Sequence, residues 1–66
     1  MKVNCNGKSM TLAESATVAD LIAELNPQSD TLAVAVNHTI IPQPDWANHG
    51  LRSDDNVDVF TLVAGG

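Results

Sequence analysis

Residues 57–66 read VDVFTLVAGG, a run of strand length that passes into two glycines. Strand period puts Val57, Val59, Thr61 and Val63 on one face and Asp58, Phe60 and Leu62 on the other. Asp58 marks the second face as the one that meets water, so the valine face belongs to a core. A last strand of this kind cannot pair by a simple hairpin with everything before it. Closure places it centrally beside the N-terminal strand, where both ends of the chain are tied down; the pattern leaves the strand order otherwise open.

Upstream, Arg52 to Asn56 form a turn in which Ser53-Asp54-Asp55-Asn56 satisfy their own backbone, and strand residues resume at Val57. Asp45 is placed to cap a single helical turn through Trp46 and Ala47, with Gly50 releasing the chain before Leu51 and Trp46 plugging one edge of the core. Pro42 has no donor for a ladder and limits Thr39-Ile40-Ile41 to a short strand, entered from a turn at Asn37-His38. TLAVAV, residues 31–36, is too short for a lone helix and reads as a strand with Leu32, Val34 and Val36 on one face. Before it, Thr17 caps a helix with Asp20 as a shortened capping-box partner. Val18, Leu21, Ile22 and Leu25 share a stripe, and the helix ends near Asn26, ahead of Pro27. The first segment, KVNCNGKSMTL at residues 2–12, alternates on both sides of Asn6-Gly7, a pair suited to the positive-φ positions of a type I′ hairpin turn.

The order strand, strand, helix, strand, short strand, strand predicts an α+β fold, a ubiquitin-like β-grasp with a mixed sheet of four to five strands against one main helix. Residues 1–64 form the β-grasp domain and residues 65–66 a flexible diglycine tail. A chain of 66 residues buries about 60% of its unfolded surface. Such a core leaves no room for a deep catalytic cleft, so the chain is expected to be carried, docked or recognised, with a partner supplying any demanding chemistry.

Eight acidic against three basic side chains give a net charge of −5, which disfavours nucleic acid and anionic membranes. The single cysteine, Cys5, and the lack of a leader-like or membrane-spanning apolar run point to a reduced, cytoplasmic protein. Cys5 alternates with Val3 and has no neighbouring base, so it reads as core rather than nucleophile. His38 and His49 lack metal-ligand spacing and are assigned to capping or solvent, and no metal site is expected. Asp54 and Asp55 read as turn formers, because adjacent turn carboxylates point apart. Lys2, Lys8 and Arg52 form no basic stripe and complete no phosphate loop.

The chemistry-bearing feature is the end of the chain. Gly65 and Gly66 lack Cβ atoms, so a partner's channel can close around their backbone and bring an activated phosphate to the Gly66 carboxylate. Phe60 and Leu62, just before the tail, are the expected apolar centre of a partner-binding surface.

The segment AVNHTIIP at residues 35–42, Trp46 and the ending VFTLVAGG closely resemble the ThiS family, the small sulfur carriers of thiamine biosynthesis, over essentially the whole chain. Asn37, Ile41-Pro42, Trp46 and Gly65-Gly66 match the family pattern. Asp54-Asp55 departs from its usual Gly-Asp turn, a change Asp tolerates at some cost in a left-handed conformation.

The resemblance implies a protein co-substrate rather than an enzyme, with no stably bound cofactor. An E1-like ThiF adenylyltransferase would use ATP and Mg²⁺ to make an acyl adenylate at Gly66. Sulfur from a cysteine desulfurase-derived persulfide would replace AMP and leave a thiocarboxylate. A ThiG thiazole synthase would then take up the sulfur. The related molybdopterin-synthase small subunit, a ubiquitin-like modifier joined through Gly66 to a lysine, and a stand-alone interaction domain remain alternatives at this level.

Overall fold

A computed structural model describes residues 1–25 and 32–61. Strands β1 (Lys2–Cys5) and β2 (Lys8–Thr11) form an antiparallel hairpin in which Val3 faces Met10 and Cys5 faces Lys8. Asn6 and Gly7 take φ of 51° and 80°, the two positive values a type I′ turn needs, so the Asn-Gly reading holds.

Helix α1 (Val18–Leu25) begins with the expected reciprocal cap. The Thr17 amide donates to Asp20 Oδ2 at 2.9 Å, and the Asp20 amide donates to Thr17 Oγ1 at 3.3 Å. Val18 and Leu21 are fully buried and Ile22 is half-buried, but Leu25 is 39% exposed. The apolar stripe therefore reaches the last described turn of the helix without being covered there, and the expected end near Asn26 lies outside the described residues.

β3 (Leu32–Val36) follows, its expected first residue Thr31 also lying outside the described residues. It pairs antiparallel with β4 (Thr39–Ile41) across Asn37-His38. That turn is a second type I′ geometry built without glycine, with φ of 51° at Asn37 and 71° at His38.

A 3₁₀ helix spans Gln43–Asn48. Asp45 is not its cap: the helix starts two residues earlier, after Pro42, and has no side-chain cap bond. Pro44, whose fixed φ and missing donor suit a first turn, lies in the helix ahead of Asp45, and the Asp45 amide donates to the Pro42 carbonyl at 2.8 Å. Trp46 plugs the core as expected, and its indole N–H donates to the Ile41 carbonyl at 2.9 Å.

β5 (Asn56–Thr61) starts one residue earlier than its valines suggest, because the Asn56 backbone is already held by Asn37. The sheet order is β2-β1-β5-β3-β4, with β5 parallel to β1 and antiparallel to β3. The last strand is thus central, as its two-sided pairing need requires. Val3, Val34 and Val57 from the three middle strands meet Val18 and Leu21 of the helix in a fully buried layer. Burying each such side chain contributes about 1.5–3 kcal/mol. The result is a ubiquitin-like β-grasp, a mixed five-stranded sheet with one main helix.

Candidate functional site

The side of the sheet turned away from the helix is set by strand period. Val34, Val36, Val57 and Ile41 point into the core, which sends Ala33, Ala35, Asp58, Phe60 and Ile40 outward. Register arranges these in two rows. Ile40, Ala35 and Asp58 stand side by side on β4, β3 and β5, while Ala33 and Phe60 form the adjacent row. Ile40 is 57% exposed and Phe60 43%, and the two small alanines lie on the strand between them. An apolar patch with a low middle results, and the exposed Asp58 carboxylate stands on its β5 side.

Phe60 is therefore on a free surface, as expected. Ile40 was missed, although period 2 in Thr39-Ile40-Ile41 sends one isoleucine outward whenever the other is in the core. Leu62, Gly65 and Gly66 lie outside the described residues. The last described residue of β5, Thr61, stands next to Phe60, so the strand that bears the patch is the strand that leads to the tail.

Two turns brace this strand where it enters the sheet. The Asn37 amide donates to the Asn56 carbonyl at 2.7 Å, and the Asn56 amide donates back to Asn37 Oδ1 at 3.0 Å. Asn37 Nδ2 reaches Asp55 Oδ1 at 3.1 Å, while Asp55 Oδ2 accepts the Arg52 amide at 2.8 Å. Asp54 takes φ of 70°, so the aspartate does occupy a left-handed position where glycine would be unstrained. Asp54 and Asp55 both serve the turn, as their positions in the sequence suggest.

Cys5 is buried in the core. Burial pushes its thiol pKa up and the nearby Asp58 charge adds to the rise, both away from the thiolate form that a nucleophile needs. His38 sits exposed in its turn, and the His49 carbonyl accepts the Val18 amide at 3.0 Å. Among the described residues no three His, Cys, Asp or Glu side chains converge, and no helix is long and apolar enough to cross a membrane. A hollow of about 420 Å³ beside the Asn37 and Arg52 turns is open to solvent.

A model of the ThiS family matches residues 3–66. The chain belongs to the ThiS family. The sulfur carrier protein ThiS of Escherichia coli (strain K12) is 32% identical over 66 residues, covering all of both chains. A thiazole synthase of Paramagnetospirillum magneticum is 30% identical over the whole of this chain, which corresponds to 20% of that protein. The crystal structure of the thiamine biosynthesis protein ThiS from Geobacter metallireducens superposes with a TM-score of 0.86 at 26% identity, covering all of both chains. Membership makes this ThiS-family chain a small sulfur carrier of thiamine biosynthesis, not a catalyst in its own right.

Proposed function

We propose that this ThiS-family chain carries sulfur as a thiocarboxylate on Gly66, made and consumed by enzymes that dock on the Ile40–Phe60 face. The observation that carries the reading is the position of β5: the central strand bears Phe60 on an exposed apolar face and leads directly to the tail. Docking on this face orients the strand end toward the enzyme's active centre. From Thr61, the five residues 62–66 can extend at most about 18 Å, the depth such a channel can have.

The chemistry needs an activated acyl group, because a carboxylate is a poor electrophile until one oxygen leaves in a stable group. A ThiF-like adenylyltransferase, using its own ATP and Mg²⁺, supplies this as an acyl adenylate with release of pyrophosphate. The terminal sulfur of a cysteine desulfurase-derived persulfide displaces AMP to give an acyl disulfide, and a second thiol then attacks the cysteine sulfur of that S–S bond, releasing the Gly66 thiocarboxylate and leaving a disulfide between the two thiols. A ThiG-like thiazole synthase then takes up the sulfur. The match to a stretch of a thiazole synthase supports that partner, since there a sequence of this kind lies in the same polypeptide as the enzyme.

The experiment is ATP–pyrophosphate exchange by the adenylyltransferase with the chain as acceptor. The wild type should support exchange, and Gly65→Trp should fold normally yet abolish it, because an indole beside the terminal residue cannot follow the backbone through a narrow channel. Equal exchange by the two proteins would sink the threading argument.

A further inference from the structure

The hairpin turn makes an unusual contact with the last strand. β1 and β5 are parallel, and their ladder runs from the Asn4 amide on the Asp55 carbonyl, at 2.8 Å, to the Asn6 amide on the Val57 carbonyl, at 2.9 Å. At Asn6 the chain turns back, so β1 has no further peptide group to offer. The Asn6 side chain takes over. Its Oδ1 accepts the Val59 amide at 2.9 Å, and its Nδ2 donates to the Val59 carbonyl at 3.1 Å. One carboxamide thus provides the acceptor and the donor that a continued strand would have supplied. Asparagine is the residue that meets both local demands, a left-handed φ of 51° and a short amide within reach of a neighbouring backbone.

We propose that Asn6 is a positioning residue for the carrier reaction: its carboxamide extends the β1–β5 ladder by one residue and holds the end of β5, with Phe60, in docking geometry. Past Val57, β5 is otherwise paired, among the described residues, only with β3, through Asp58, Val59, Phe60 and Thr61. Without the carboxamide, both backbone groups of Val59 that face β1 lose their protein partner. The strand end then opens locally while the rest of the sheet stays closed. This inference rests on the proposed docking at the Ile40–Phe60 face, but the clamp itself can be read without any partner.

Two substitutions separate the demands on Asn6. Asn6→Gly keeps the positive φ and removes both side-chain bonds, while Asn6→Asp keeps the φ and the acceptor but lacks the donor. Amide hydrogen exchange of Val59, referenced to the buried Val34 of the same protein, reads the clamp. Asn6→Gly should speed Val59 exchange about tenfold beyond any change at Val34, and Asn6→Asp should restore Val59 protection at least in part.

In adenylation by the ThiF-like enzyme, Asn6→Gly should raise KM for the carrier about threefold to tenfold with kcat within twofold, because a loosened strand end must be ordered on docking. Unchanged Val59 exchange would overturn the clamp, and faster exchange with an unchanged KM would overturn the positioning role. Absence of adenylation with the wild type would refute the proposed function instead, leaving the exchange pattern to decide whether Asn6 holds the strand.

Discussion

Replacing Trp46 with phenylalanine isolates one buried hydrogen bond. The indole is buried in the core and its N–H satisfies the Ile41 carbonyl at 2.9 Å, at the point where β4 ends and Pro42 turns the chain into the 3₁₀ helix. Phenylalanine keeps an aromatic ring but has no donor, and it leaves part of the indole volume empty. The Ile41 carbonyl keeps its ladder partner on β3, opposite Val34, so losing the indole bond costs about 0.5–1.5 kcal/mol, and the smaller ring adds a packing loss of roughly 1 kcal/mol, for a total near 1.5–2.5 kcal/mol. A domain of this size has a total stability of roughly 3–10 kcal/mol, so the loss is a large share. Urea unfolding followed by far-ultraviolet circular dichroism is the assay, because the chain has a single Trp and the variant lacks it. With a slope of about 1 kcal/mol per molar, the midpoint should fall by about 2 M. A fall of less than about 0.5 M would refute the claim that the indole bond closes this edge of the core.

Other perturbations test other parts of the account. Phe60→Asp should weaken binding to the adenylyltransferase at least tenfold in a titration while moving the urea midpoint little, since the ring is already 43% exposed. Asp54→Gly should stabilise the chain by up to about 1 kcal/mol in the same unfolding assay, by removing the left-handed strain at φ 70°. Asp20→Ala should cost about 1 kcal/mol through loss of the cap on Thr17. Because burial first and Asp58 second raise the Cys5 pKa in the folded state, the unfolded chain ionises first. Stability should therefore fall as pH rises through the ordinary thiol range, and Cys5→Ser should flatten that part of the pH profile.

The local rules that specify this fold were legible where one residue type answers one backbone demand. Asn6-Gly7 supplies two positive φ values, and Thr17 with Asp20 closes a cap across three residues. The valine alternation of β5 placed Val57 in the core and Asp58 and Phe60 outside. Legibility failed where the decisive partner is distant in sequence. Asn37 is joined to Asp55 and Asn56, and Asn6 to Val59, through side chains whose targets depend on the strand order and not on any neighbouring residue.

Asp45 was misread because its local pattern fits a cap, whereas Pro42 starts the helix earlier. The candidate face was half visible: Phe60 follows from strand period, while its pairing with Ile40 needs both register and order, which set β4 two strands away from β5. Among the described residues the chain has one thin core and one sheet face that the helix does not cover, and the proposed chemistry uses that face to present Gly66.

Intact-mass analysis of the chain after incubation with ATP, Mg²⁺, a ThiF-like adenylyltransferase and a persulfide sulfur source tests the central claim most directly. Exchange of one carboxylate oxygen for sulfur should add about 16 Da. Fragmentation should place the gain at Gly66, and a ThiG-like synthase should return the mass to its starting value as thiazole forms. An unchanged mass under conditions that load another ThiS-family carrier, or a covalent adduct with a second protein, would contradict it.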